Sequence, residues 1–133
     1  MEEVILFYNI SEEEAREALE AFCLRQGVRP VFVKNEQYDV PVGFVAYGSD
    51  SQQADYLRKE AGPGFDDTMM VMAGLPRKRV FEVLEEMRTI ALPRISYKAM
   101  LTEFNAVWTS LQLHEQLEEE RRGIEEAKKM QTP

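Results

Sequence analysis

The chain has a single cysteine, Cys23, so no internal disulfide framework holds it together. Its only histidine, His114, lies in a charged stretch with no second ligand at zinc spacing, and no metal is expected. No apolar run approaches the roughly 18 residues of a membrane span, so no membrane partner is expected. The start, Met1-Glu2-Glu3, is acidic where a secretory leader would be basic, which points to a cytoplasmic protein. Positive charge is scarce as well: 16 Lys and Arg against 24 Asp and Glu give a formal charge of −8. A surface of that sign repels phosphate backbones, so nucleic-acid binding is not expected. There is no Gly-x-Ser-x-Gly elbow, no full phosphate-loop pattern, and no calcium-loop spacing around Asp66 and Asp67. No cofactor is implied.

What is present fits one globular domain: 133 residues, 44% of them hydrophobic and 30% charged, are enough to bury a core. The most informative feature is a hydrophobic plan that occurs twice, about 65 residues apart. Val4–Tyr8 runs into Ile10-Ser11 and an amphipathic helix pattern; Met69–Ala73 runs into Leu75-Pro76 and another. The copies agree at Glu17/Glu82, Leu19/Leu84 and Glu20/Glu85, with apolar partners at Ala18/Val83 and Phe22/Met87.

Val4–Tyr8 is apolar on both faces, as a central strand requires. Ser11 is placed as an N-cap, with Glu14 completing a capping box. Ala15, Ala18, Leu19, Phe22 and Cys23 form one stripe, and Gly27 closes the helix. Val28–Lys34 reads as a strand that Pro30 pushes toward a sheet edge. Within a variable insert, residues 35–67, Val42–Tyr47 reads as a short strand or an apolar loop, and Ser51–Ala61 as a helix ended by Gly62-Pro63-Gly64. In the second copy Pro76 suits a first helical position, and Val80, Val83, Leu84, Met87 and Ala91 form the stripe. Ile95–Leu101 follows as a strand with Ile95, Tyr97 and Ala99 on one face. A terminal helix from Thr102–Asn105 toward Met130 would be roughly 38 Å long, docked early through Phe104, Trp108 and Leu111.

The expected fold is therefore α+β: a duplicated βαβ in a ferredoxin-like sandwich, strands one and three central, with a C-terminal helical extension. A small doubly wound α/β sheet is the second choice. Residues 1–114 are assigned to a single α/β domain and 115–133 to the charged helical extension.

Two places could carry function. In Gly74-Leu75-Pro76-Arg77-Lys78-Arg79, three cations oppose a helix macrodipole, and with free amides they would attract a phosphate or carboxylate. The terminal helix has Glu118/Arg122 and Glu125/Lys129 spaced as supporting pairs, and Leu113, Leu117, Ile124 and Ala127 as an imperfect heptad seam that could grip a protein partner. Cys23, on the core stripe, reads as a buried small hydrophobe.

The run Lys98-Ala99-Met100-Leu101-Thr102-Glu103-Phe104-Asn105-Ala106-Val107-Trp108, followed by a charged helix, resembles a bacterial family called domain of unknown function 3783. Lys98, Thr102, Asn105 and Trp108 carry the resemblance, which implies no activity, substrate or cofactor. Physically, Thr102 or Asn105 would cap the helix start and Trp108 would bury its indole on the sheet; a ligand site built from Lys98, Thr102 and Asn105 is the alternative. The chain is expected to be a small non-enzymatic binding or interaction module. The runner-up is a small-anion sensor or enzyme using Arg77–Arg79.

Overall fold

In the computed structural model residues 1–131 are described. Within them the strands β1 (Val4–Tyr8), β2 (Arg29–Phe32), β3 (Met69–Ala73) and β4 (Tyr97–Met100) form one sheet in the order β2-β1-β3-β4. β1 and β2 are parallel, as are β3 and β4; β1 and β3 meet antiparallel, with Leu6 opposite Val71. Each βαβ unit thus keeps its outer strand beside its own inner strand, and the two inner strands are joined at the centre. Every residue of β1 and β3 is buried, which is why both read as apolar on both faces. This is an α+β fold with strands one and three central, as expected.

The helices α1 (Glu13–Gln26) and α4 (Arg77–Thr89) cover one face, burying Leu19, Phe22, Cys23, Val80 and Val83 against Ile5, Phe7, Met70 and Met72. On the other face, Tyr38, Val40 and the short helix α2 (Val42–Tyr47) cover Val4, Leu6, Tyr8, Met69 and Val71, together with Leu113 of α5 (Ser110–Gln131). The shortest helix, α3 (Asp50–Ala54), lies outside that layer with no buried residue.

Local chemistry accounts for the element ends. Gly27 ends α1 at φ 72°, its N–H and that of Val28 reaching back to Leu24 and Cys23 carbonyls. On β2 the amides of Arg29 and Val33 donate to Glu3 and Phe7, so Pro30 faces outward at the edge, where its missing N–H costs no ladder bond.

Several expectations are corrected. Helix α1 begins at Glu13 with Glu12 as N-cap and no side-chain cap bond, because Asn9 turns the chain at φ 62° and sends Ile10 into the core; Ser11 and Glu14 form no capping box. Val42–Tyr47 is helical: Val42, Val45 and Ala46 are buried at helical spacing, and Gly43 lets the helix approach Ala106, to which an added Cβ would come within 3.1 Å. The helix expected over Ser51–Ala61 is only α3, capped by Ser49 and Gln52; beyond it the Arg58 amide donates to Glu36 and its side chain pairs with Asp39 at 2.8 Å, which pulls the chain out of register. Pro76 is the N-cap of α4, one position earlier than expected. Ile95 joins the core of the α1/α4 face while Tyr97 and Ala99 line the other, since Thr68 Oγ1 holds the Ser96 amide and the strand starts only at Tyr97. The terminal helix starts at Ser110, about 33 Å long, and Phe104 is exposed.

Gly74 links β3 to α4 at φ 79°, where a Cβ would overlap both the Glu2 carbonyl oxygen and the Tyr47 hydroxyl. Gly74→Ala is therefore expected to lower unfolding stability by about 1–3 kcal/mol, read as a drop in urea midpoint with the m-value unchanged.

Candidate functional site

Of the basic turn at the start of α4, Arg77 and Lys78 are exposed, but Arg79 turns inward. Its Nε donates to Glu3 Oε1 at 3.1 Å, Nη1 to Gln26 Oε1 at 3.1 Å and Nη2 to the Gln26 carbonyl. The guanidinium thereby ties the entry to β1, the end of α1 and the start of α4. Gly74 contributes the tight turn in front of them.

The Lys98–Trp108 motif splits into separate roles. Thr102 and Asn105 meet: Asn105 Oδ1 accepts from the Thr102 amide at 2.8 Å, and Thr102 Oγ1 accepts from the Asn105 amide at 3.1 Å. Asn105 Nδ2 donates to the Met100 carbonyl at 3.0 Å, which uses up this buried amide side chain locally. They close the turn that leads into a short 3₁₀ segment, Asn105–Val107, and do not cap the long helix; Thr109 and Gln112 form the reciprocal cap of α5. Lys98 lies at the exposed edge of β4, with Nζ on the Ile95 carbonyl at 3.2 Å. Trp108 is half-buried on the α2/α5 face, and its carbonyl accepts from the Val42 amide at 2.8 Å.

The cluster that sequence reasoning missed surrounds His114. Its Nε2 faces Asp67 Oδ2 at 2.9 Å and its Nδ1 faces Glu118 Oε1 at 3.4 Å, while Phe65 stacks on the ring at 3.9 Å and Tyr97 meets it edge-on. The expectation that no ligand atom stands near His114 is corrected. Glu118, one turn along, was legible as a spacing; Asp67, 47 positions away, was not. One ligand atom from each of Asp67, His114 and Glu118 lies within 4.8 Å of the other two, close enough to converge on one cation. The stacked Phe65 covers one face of the ring.

Other titratable groups are held for structure. Burial, with the Glu20 carboxylate adding to it, pushes the Cys23 thiol up to about 12, so it stays protonated and unreactive near neutral pH. Burial likewise raises the Tyr8 hydroxyl, which shares a 2.8 Å hydrogen bond with Ser110.

Beside this cluster lies a cleft of about 520 Å³ between β4 and the underside of α5. Arg94, Lys98, Arg121 and Lys128 line it with Glu120 and Glu125, and Leu117 and Ile124 supply apolar surface. Arg121 stacks over Tyr97 at 4.0 Å and donates to the Ser96 carbonyl.

Asn105→Ala should cost about 1–3 kcal/mol, because it strands the Thr102 amide and the Met100 carbonyl; thermal and urea unfolding measure it. Unchanged stability would free Asn105 for a ligand role.

No curated protein and no solved structure matches the chain. The stretch from residue 68 to 124, running from β3 through α4 and β4 into α5, does match a family, and it includes the Thr102–Asn105 cap and His114. That stretch is similar to the family described as Domain of unknown function (DUF3783).

Proposed function

We propose that the chain is a small cytoplasmic, non-enzymatic interaction module that engages a protein partner through α5. The observation that carries this reading is the reach of that helix: Glu118 is its last half-buried residue, and residues 119–131 are all exposed, with Ile124 at 58% and Met130 at 87%. A helical stretch of that length is marginal in water without packing, and Gly123 weakens it by about 1 kcal/mol. A partner's surface would supply the missing contacts to Leu117 and Ile124. The protonated, buried Cys23 agrees with a non-catalytic role. No helix among the described residues is long and apolar enough to cross a membrane. The acidic balance of the chain argues against nucleic acid as the partner. The competing reading, a small-anion sensor or enzyme at Arg77–Arg79, keeps Arg77 and Lys78 but loses much of its third cation, since Arg79 already donates to Glu3 and Gln26.

The test compares the tagged full chain with a chain ending at Glu118, both expressed in the native host. A stoichiometric protein should co-purify with the full chain, be absent from the shortened one, and rebind from purified components. Identical partners for both chains, or none for either, would overturn the reading.

A further inference from the structure

We infer that the cleft between β4 and α5 receives an extended acidic peptide segment, added to the sheet as a fifth strand beside β4. The inference rests on the reading of α5 as the partner-facing helix.

The backbone of β4 supplies the first argument. The amides of Tyr97 and Leu101 donate to the Thr68 and Met72 carbonyls of the β3 side, so Tyr97, Ala99 and Leu101 bond inward. By the parity of a parallel ladder, Lys98 and Met100 direct their backbone groups away from the sheet. The carbonyls at the two ends of this outer strip are occupied: Arg121 donates to that of Ser96 and Asn105 to that of Met100. Between them, the same parity turns the Lys98 amide, the Lys98 carbonyl and the Met100 amide away from β3. The opposite edge is different in kind. There Pro30 occupies an outward position of β2 and has no amide to offer.

Charge supplies the second. Arg94 and Lys98 on the β4 side and Arg121 and Lys128 on α5 line the cleft together with Glu120 and Glu125, in a chain whose formal charge is −8. A basic strip on an acidic protein selects an acidic occupant and repels the same strip on another copy. The shape agrees: an edge strand under a helix is the setting in which extended segments pair by main-chain hydrogen bonds and are selected by alternate side chains. A segment of about three to five residues, at roughly 3.3 Å each, spans the open strip. Side chains on its α5 side would meet Leu117 and Ile124 as well as Arg121, so an apolar residue flanked by Asp or Glu is the expected pattern.

The experiment selects binders to the full chain from a displayed library of random octapeptides and measures the winners as synthetic peptides by fluorescence anisotropy. Acidic sequences with an alternating apolar position should be enriched, and their affinity should fall between 50 and 500 mM NaCl. Lys98→Pro removes the outward amide and should weaken binding about tenfold beyond Lys98→Gln, which removes only the charge. Hydrogen exchange of the unmutated chain gives a check that does not depend on the proline variant folding: bound peptide should protect the Lys98 and Met100 amides. Failure to enrich acidic peptides, or acidic peptides that leave both amides exchanging as before, overturns the inference. If the chain ending at Glu118 binds the selected peptides as tightly as the full chain, strand addition stands and it is the role given to α5 that fails.

Discussion

The antiparallel pairing of β1 with β3 is the constraint on which the rest of the structure depends. Each βαβ unit alone is a two-stranded parallel pair with one helix, too little to bury its own apolar strand on both faces. Joining the inner strands, Leu6 opposite Val71, places ten apolar residues in the middle of one sheet, where none is accessible to any important degree. The outer strands β2 and β4 can then be short and only half-buried, because burial of the centre carries the stability.

A sheet buried on both faces needs two covers, and the chain makes them differently. Helices α1 and α4, internal to the βαβ units, form the first. The second is assembled from residues 35–67 and from α5, which come from separate parts of the chain. Their junction is knit by the Pro41–Thr109 bridge, the Val42 amide on the Trp108 carbonyl, and aromatic packing from Tyr8 and Tyr38 through Phe65 to His114. Asn9 fastens the same region, donating to the Phe65 and Asp67 carbonyls and accepting from the Tyr38 hydroxyl. The Thr102–Asn105 cap has a place in this plan: it ends β4 and turns the chain across the sheet so that α5 can lie on the second face. This gives the Thr102 and Asn105 side chains a folding role.

Legibility followed the range of the interactions. Both inner strands, the stripe of α1, that of α4 as far as Met87, the Gly27 stop and the edge position of Pro30 were readable, since each expresses a local pattern of period 2 or 3.6 or a single backbone constraint; Ala91, expected in the α4 stripe, lies exposed beyond the helix end at Thr89. The helix at Val42–Tyr47 carried a signal, Val42, Val45 and Ala46, that six apolar residues in a row obscured. Arg77, Lys78 and Arg79 looked equivalent in sequence, yet only Arg79 has Glu3 and Gln26 beside it once three chain segments converge. The seating of His114 between Asp67 and Glu118 was hidden for the same reason.

By itself the sequence determined which segments are strands and helices and which faces must be covered, because hydrophobic periodicity and backbone stereochemistry act between residues a few positions apart. Tertiary structure alone decided that the two units join antiparallel, that residues 35–67 share the second face with α5, and that β4 keeps an open outer edge beneath that helix. Those outcomes depend on which buried surfaces and hydrogen-bonding groups meet across the fold, and no local pattern in the chain encodes such meetings.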